Sequence, residues 1–510
     1  MSEWRIANGE WASLAGLLLV GCLTLGIFAL TADRTTDGQG GVPLDDAWIH
    51  FQFARNLARG DGLSFNPGHP TSGSTAPLWT LLLAGAYFVG GDFPIAGQVL
   101  SAACFLAALA ATYALGRQLT GNHWAGWLAG AVVAVNGRMV WAGLSALETC
   151  LFAALSLLAI SAYLNDRAAH RYRLRTAALF GLAALSRPEG YLLFALSLLD
   201  STILRISRLK FDVLHFTSCV LHLFLPIALF TAIVLPYLIF SLHTSGHLLP
   251  NTYHAKAVVN LLPSRDFLSL AARHLILDNP LLLPFYLLGL ILLIERAPLL
   301  SLWSAGLPLA YAFLHAALYQ HGRYLIPLIP CNAVLGVVGL LEARKLARRR
   351  GCRWRERETR FFGKNLVSVL LILVGTGWQL PAMARQYSLN VTEINRMHVA
   401  LGRWAAEHTP PGATLALNDI GAIAYLSERP VVDLAGLITP EVVPLLRSPN
   451  RDALLADFLI EQNVDYAIIF PNWFPDLAAR DDILEELHRV TLEQRTIAGG
   501  ETMVVYQVHR

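Results

Sequence analysis

The chain has 510 residues, of which 55% are hydrophobic and 15% are charged, with a formal net charge of +3. This composition is typical of a polytopic membrane protein and excludes an ordinary water-soluble globule. The chain also lacks a long polybasic arm, so nucleic acid is not expected as a partner.

The first apolar run, 11–30, is long enough to cross a bilayer, which takes a helix of about 20 residues. Residues 29–32 resemble a signal-peptide cleavage site, but Glu3 and Glu10 leave almost no net positive charge ahead of the run. We therefore expect an uncleaved anchor with a cytoplasmic N-terminus.

Two adjacent carboxylates, Asp45 and Asp46, follow within a predicted first loop over about 32–96. They stand at the start of an aromatic-rich amphipathic helix, where acids can do catalytic work or one can simply cap the helix. The later run 77–90 starts at a proline and is short, so we expect it to lie on the membrane surface.

Ten further apolar runs predict membrane spans, about eleven in all. They lie near 97–115, 124–137, 148–164, 176–187, 190–204, 214–242, 281–295, 299–318, 324–341 and 364–383. Basic residues cluster within 167–175, 205–210 and 344–360, which the positive-inside rule assigns to the cytoplasm.

The last part of the chain changes character. Helix and strand patterns alternate after residue 384, which predicts a membrane domain over 1–384 and an extracytoplasmic α/β domain over 385–510. Asp419 and Gly421 follow a predicted strand there, as in many nucleotide sites, but neither GxGxxG nor a P-loop accompanies them.

Five polar sequences interrupt the apolar pattern: 45–46, 144–149, 186–190, 249–256 and 321–324. In the predicted topology all five open to the outer face. Ionisable residues at membrane depth usually line a functional cavity. Their convergence on one side predicts an extracytoplasmic active site.

Several short motifs together resemble one family. They are LDDAWI at 44–49, FARNL at 53–57, GDGL at 60–63, FNPG at 65–68, STAPLW at 74–79, LET at 147–149, RPEG at 187–190, LPNT at 249–252, RY at 323–324 and DIGAI at 419–423. The set is similar to GT-C glycosyltransferases, especially the subgroup around the cell-wall arabinofuranosyltransferases. The resemblance covers most of the chain.

The resemblance implies a polytopic α-helical fold and transfer of a sugar from a polyprenyl-phosphate donor, with inversion at the anomeric carbon. The acceptor would be a glycan, lipid or protein of the cell envelope, at the outer face of a bacterial cytoplasmic membrane. Membrane lipids surround such an enzyme.

The resemblance makes Asp45 the expected general base, because its position matches that of the acidic residue that is catalytic in the family. Asp46 is expected to orient it, to contact the acceptor or to bind a metal. Asp45, Asp46 and Glu148 offer hard oxygen ligands for a divalent cation, although no spacing requires one and no cofactor is certain.

A leaving lipid phosphate needs cations or hydrogen-bond donors. The candidates are Arg323, Tyr324, Lys256, His254 and Arg187. Arg323 ranks first because a guanidinium at the outer start of a span can hold phosphate oxygens in a bidentate fork. It could instead anchor the span by reaching lipid headgroups.

Other site candidates carry structural alternatives. They are Glu148, Glu189, Asn251, Arg55 and His321. Arg187 and Glu189 could form a buried pair around a helix break, and Glu148 could cap a helix. His321 could carry protons or simply pack, while lipid headgroups are the default partner of Arg55.

A transporter or flippase of a lipid-linked saccharide is the alternative function, because it too needs a cationic cavity. Transporters typically show repeat-related halves and a midplane site. The chain shows no internal repeat, and its polar motifs fall on one side. A third possible function is that of a sensor, in which the C-terminal tail senses and the spans only anchor it. An anchor would need far fewer than about eleven spans.

Overall fold

The computed structural model describes residues 8–88, 90, 93–206, 213–256, 260–314, 320–349 and 366–509. Through residue 394 these are mainly helical, because a helix satisfies its own backbone hydrogen bonds in hydrocarbon.

The helices of this part are α1 (Asn8–Thr35), α2 (Asp46–Arg59), α3 (Pro77–Tyr87), α4 (Phe93–Thr120), α5 (His123–Ala134), α6 (Gly137–Gly143), α7 (Thr149–Ala168), α8 (Leu174–Ser186), α9 (Glu189–Ile206), α10 (Val213–Ser245), α11 (Asn251–Lys256), α12 (Arg265–Asp278), α13 (Leu283–Leu292), α14 (Pro298–Phe313), α15 (Ile329–Arg349), α16 (Leu366–Gly377) and α17 (Leu380–Ile394). A 3₁₀ segment, Gln320–Leu328, precedes α15.

The predicted count of eleven spans is not confirmed. Within the described residues, six helices are long and apolar enough to cross a membrane, or seven if the bent pair α12 and α13 counts as one. Other predicted spans coincide with shorter helices, in one case because a polar residue breaks the run. Asn136, for example, ends the run 124–137 by accepting the backbone N–H of Met139 at the start of α6.

The predicted surface helix at 77–90 is α3, which has 11 residues. At 1.5 Å per residue its length is roughly 16 Å, about half of a hydrocarbon core. This length agrees with a helix that does not cross the membrane alone.

Helices α13 and α15 approach each other at two glycines. A Cβ built on Gly339 would lie 1.9 Å from the backbone oxygen of Phe285, and one on Gly289 would lie 2.2 Å from that of Leu335. Small residues let membrane helices pack backbone to backbone in this way.

We expect Gly339→Ala to lower the thermal unfolding temperature of the detergent-solubilised protein, because the methyl group forces α13 away from α15. Gly306→Ala in α14 is the matched control, since its Cβ would come no closer than 3.9 Å to a neighbour. Equal unfolding temperatures for the two variants would contradict the close packing.

The chain continues from α17 through a π-helical segment (Asn395–Val399) into α18 (Ala400–His408). The strands β1 (Leu415–Leu417), β2 (Val431–Asp433), β3 (Tyr466–Ile469), β4 (Leu484–Thr491) and β5 (Thr502–Val508) follow. Between them lie α19 (Gly421–Ser427), α20 (Val442–Leu446), α21 (Arg451–Glu461) and α22 (Pro475–Ala478). The predicted boundary at 384/385 falls inside α17.

The five strands form one sheet in the order β2-β1-β3-β5-β4. Strand β1 runs parallel to β2 and β3, whereas β5 is antiparallel to β3 and β4. Residues of α21 pack in one apolar cluster of the sheet, and Phe53 and Phe65 of the first loop pack in another. The first loop is therefore part of the core of the C-terminal region.

Candidate active site

Helix α2 begins immediately after Asp45, with Asp46 in its first turn, where a carboxylate stabilises the positive end of a helix. The helix buries much of its aromatic side, including Trp48, Phe51 and Phe53. This burial holds the N-terminal end of α2 in place, so the two aspartates have fixed and different surroundings.

Asp45 contacts the C-terminal region. Its two carboxylate oxygens accept the backbone N–H groups of Gly421 and Ala422 at 2.8 and 2.7 Å, at the start of α19. Burial raises the pKa of Asp45 to about 6; the charge of His398 opposes the rise, while that of Asp419 adds to it. Asp45 as a whole residue is 7% exposed, and it does not belong to the cavity lining described next.

Asp46 lines a cavity of about 710 Å³. Its Oδ2 lies 2.5 Å from Nη1 of Arg323. The cavity also exposes apolar side chains such as Ile49, Leu192 and Leu307. The other ionisable or phenolic side chains in its lining include His50, Glu148, Arg187, Glu189, Tyr253, Tyr311 and Tyr324.

Arg187 is held by two carboxylates. Its Nη1 lies 2.9 Å from Oε1 of Glu148, and its Nη2 and Nε lie 2.6 and 2.9 Å from Oε1 of Glu189. Glu189 also accepts a hydrogen bond from the hydroxyl of Tyr311, and His50 Nε2 lies 3.4 Å from Glu148. Arg187 and Glu189 therefore form the buried ion pair at a helix break that the sequence offers as a structural alternative. Glu148 is a further member of this ion-pair network.

Arg323 follows a sharp backbone break. Gln320, His321 and Gly322 have φ values of 58°, 56° and 60°, in the left-handed region. The buried Arg138 donates to the carbonyls of His321 and Gly322 at 2.9 and 2.8 Å. The same guanidinium is 2.7 Å from Oδ2 of Asp278. Arg138 thereby fixes the turn that aims Arg323 at the cavity.

Tyr324 lies beside both cavity guanidinium groups. The Cζ atoms of Arg323 and Arg187 are 5.3 and 5.6 Å from its ring centroid. An aromatic ring attracts cations at such distances. Tyr324 therefore keeps two positive charges near each other on one wall.

Two of the remaining predicted site residues do not line the cavity. Asn251 is buried but does not belong to the cavity lining, and His321 Nε2 contacts Oδ1 of Asn390 at 2.9 Å. The side chains of His254 and Lys256 lie outside the described part of the structure.

Lipid headgroups are not the partner of Arg55, in contrast to the default expectation. Arg55 is buried, pairs with Glu428 at 2.8 Å, donates to the carbonyl of Tyr425 and lies 4.2 Å from the centroid of that ring. The reason is that α2 packs against α19. Arg55 thus joins the first loop to the C-terminal region.

Sequence reasoning missed Arg138, Tyr311 and His398. A signal existed for Arg138, because a charged residue directly after an apolar run usually has a specific partner. His398 had none, since its neighbours Asp45 and Asp419 are remote in sequence. The nucleotide-site pattern at Asp419 and Gly421 also has another explanation, because the N–H groups after that strand bind the chain's own carboxylate.

Comparison with known proteins concerns the C-terminal region first. A family described as a domain of unknown function, DUF8728, matches residues 385–506. No curated protein sequence matches the chain.

Solved structures match nearly the whole chain. ArnT from Cupriavidus metallidurans bound to undecaprenyl phosphate has a TM-score of 0.59 at 14% identity, over 98% of each chain. The apo oligosaccharyltransferase of Archaeoglobus fulgidus has a TM-score of 0.59 at 14% identity, over 92% of this chain and 70% of that chain. The Archaeoglobus fulgidus oligosaccharyltransferase AglB, in complex with an inhibitory peptide and a dolichol-phosphate, has a TM-score of 0.53 at 14% identity. This match covers 88% of this chain and 69% of that chain.

These neighbours are GT-C glycosyltransferases. The chain therefore has the GT-C fold, as the sequence resemblance implies, and is a multi-pass membrane protein.

The contact between Asp45 and α19 requires a glycine at 421. A Cβ there would lie 2.2 Å from the backbone oxygen of Asp45 and 2.6 Å from its Oδ1. We expect Gly421→Ala to lower the thermal unfolding temperature and to speed proteolysis near the first loop. Gly412→Ala is the control, because its Cβ would have open space. Equal proteolysis of both variants would show that this contact does not hold the loop.

Proposed function

We propose that the protein is an inverting glycosyltransferase that moves a sugar from a polyprenyl-phosphate donor to a hydroxyl of a cell-envelope glycan, lipid or protein. The observation that carries this proposal is the Asp46–Arg323 pair in the cavity wall, with 2.5 Å between carboxylate and guanidinium. One group suits proton removal and the other suits a phosphate.

The ligands of the neighbours support the donor class. ArnT was solved with undecaprenyl phosphate, and AglB with a dolichol-phosphate. Both ligands are lipid phosphates. A cavity that combines apolar side chains with buried guanidinium groups matches the two chemical parts of such a molecule.

Arg323 is the favoured phosphate ligand. Among the described residues it pairs with one carboxylate, Asp46, whereas Arg187 already contacts both Glu148 and Glu189. A phosphate therefore has to displace fewer ion pairs at Arg323. Arg187 with its glutamates is better suited to support the wall, and Tyr324 keeps the two guanidinium groups beside each other.

Asp46 is the favoured base, in place of Asp45. It lines the cavity, whereas both oxygens of Asp45 are engaged by backbone N–H groups of α19. Donor phosphate competes with Asp46 for the Arg323 guanidinium. Donor binding thereby weakens the pair that stabilises the aspartate charge and makes the carboxylate a stronger base.

The reaction is then a single displacement. The acceptor hydroxyl oxygen attacks the anomeric carbon while its proton passes to Asp46. The bond from that carbon to the phosphate oxygen breaks, its electron pair stays on the lipid phosphate, and Arg323 stabilises the new charge. Inversion requires attack and departure on opposite faces of the sugar, so the donor has to separate Arg323 from Asp46 and place its sugar between the phosphate and the carboxylate.

The position of the basic residues supports an extracytoplasmic site. Helix α7 starts beside Glu148 at the cavity and ends near Arg167, and its 20 residues rise roughly 30 Å. The cluster that the positive-inside rule assigns to the cytoplasm thus lies about one membrane thickness from the cavity. This arrangement supports a cavity that faces outward, and the family resemblance implies that the membrane is a bacterial cytoplasmic membrane.

We expect Asp46→Asn to lower kcat for sugar transfer by about 10²–10⁴-fold, the usual contribution of a positioned base. Asp45→Asn should lower kcat less than Asp46→Asn does, because the carboxylate of Asp45 contacts α19 and does not line the cavity. The measurement is product formation by purified protein in detergent with a panel of polyprenyl-phosphate sugars. An inactive Asp45→Asn beside a fully active Asp46→Asn would return the role of base to Asp45.

This assay also separates the transferase from a flippase. Detergent removes the two compartments between which a flippase would move a lipid, so a flippase forms no glycosylated product. Binding of a polyprenyl-phosphate sugar without product, whichever acceptor of the three classes is supplied, would favour the transporter.

Substitution at Arg323 tests the phosphate site. We expect Arg323→Gln to raise KM for the donor at least tenfold, and Arg323→Lys to restore part of the affinity, because a lysine offers a charge without the bidentate fork. Arg296→Gln, at an exposed arginine outside the cavity, should leave KM unchanged. A normal donor KM in Arg323→Gln would remove Arg323 from the phosphate site.

A further inference from the structure

Three potential metal ligands meet outside the cavity lining. Asp45 precedes α2, His398 belongs to the π-helical segment, and Asp419 follows β1. Their ligand atoms all lie within 4.8 Å of one another, and His398 Nε2 is 2.9 Å from Oδ2 of Asp419. The cluster therefore joins the first loop, the π-helical segment between α17 and α18, and the sheet.

The backbone around the cluster is unusual at His398. Residues 395–399 form a single π-helical stretch within an otherwise α-helical run. Such bulges in helices are frequent at functional sites. The His398 ring is fully buried, and its other nitrogen, Nδ1, has no hydrogen-bond partner among the described residues.

The charges of the cluster favour a divalent cation. Asp45 and Asp419 carry two negative charges when ionised, and Asp45 is 7% exposed. A protonated His398 offsets only one of these charges, whereas a divalent ion bound to neutral His398 offsets both. Buried charges are stabilised only when they are paired or bound to a metal.

We propose that Asp45, His398 and Asp419 bind a divalent transition metal, with zinc as the probe of choice. One imidazole nitrogen and two carboxylates form a donor set that first-row divalent ions accept. Zinc–ligand bonds of about 2.0–2.2 Å place tetrahedral ligand atoms roughly 3.3 Å apart. The three ligand atoms lie within 4.8 Å of one another, so binding requires each pair to approach by at most about 1.5 Å.

The backbone contacts of Asp45 fit this role. Its oxygens accept the N–H groups of Gly421 and Ala422, and each carboxylate oxygen keeps a second lone pair for the ion. Hydrogen bonds of this kind orient metal ligands in many sites. The site would tie the first loop to the C-terminal region.

The competing explanation is a proton in place of the metal. In that case His398 is an imidazolium between two carboxylates, and metal ions neither bind nor stabilise the protein. The test therefore measures metal content and stability, neither of which depends on the proposed transferase activity.

The full-length protein in detergent is stripped with EDTA, exchanged into chelator-free buffer and titrated with zinc. We expect about one tightly bound zinc per chain by elemental analysis, and a higher thermal unfolding temperature, since a ligand of the folded state stabilises it. His398→Gln and Asp419→Asn should each weaken zinc binding at least tenfold, whereas His408→Gln, at an exposed histidine of α18, should not.

Cobalt provides a measurement that does not depend on the variants. Cobalt added to the stripped wild-type protein should give visible absorption bands that zinc abolishes one for one. The proposal is overturned if the stripped, folded protein binds no metal. It is also overturned if folded His398→Gln and Asp419→Asn bind zinc as well as the wild type does.

Discussion

The buried carboxylate of Asp45 is the constraint on which the arrangement of the site depends. It is placed where two backbone N–H groups of α19 can reach it, so the loop before α2 is fixed to the C-terminal region. A buried carboxylate without such donors would be strongly destabilising. Since Asp46 is the next residue, fixing Asp45 also fixes the carboxylate that faces the cavity.

Charge pairing distinguishes the two arginines of the cavity wall. Arg187 is surrounded by Glu148 and Glu189, an arrangement in which removing one partner would leave a buried charge uncompensated. Arg323 shares its charge with Asp46 at the surface of the cavity. The same residue type therefore supports the wall in one place and is available to a ligand in the other.

The sequence predicts the polar residues of the cavity better than their roles. All five polar sequences contribute residues to its lining, because charged groups in apolar chains gather where they can pair. The choice between Asp45 and Asp46 depends on which side of α2 faces α19, and nothing in the motif encodes that contact. The predicted number of spans is not confirmed, and one reason is local: Asn136 ends an apolar run by a hydrogen bond that hydropathy does not register.

Arg138 does not line the cavity, yet it fixes the position of a side chain that does. The positive φ values of Gln320 and His321, which precede Gly322, are costly for non-glycine residues unless their surroundings hold them. Arg138 donates to two carbonyls of this turn and balances its own charge with Asp278. Arg323 follows the turn directly, so the direction of its guanidinium is set by a buried arginine on α6. The contact of Asp45 with α19 fixes the position of Asp46, the other partner of the pair. The Asp46–Arg323 distance of 2.5 Å therefore depends on the contacts of Arg138 and of Asp45.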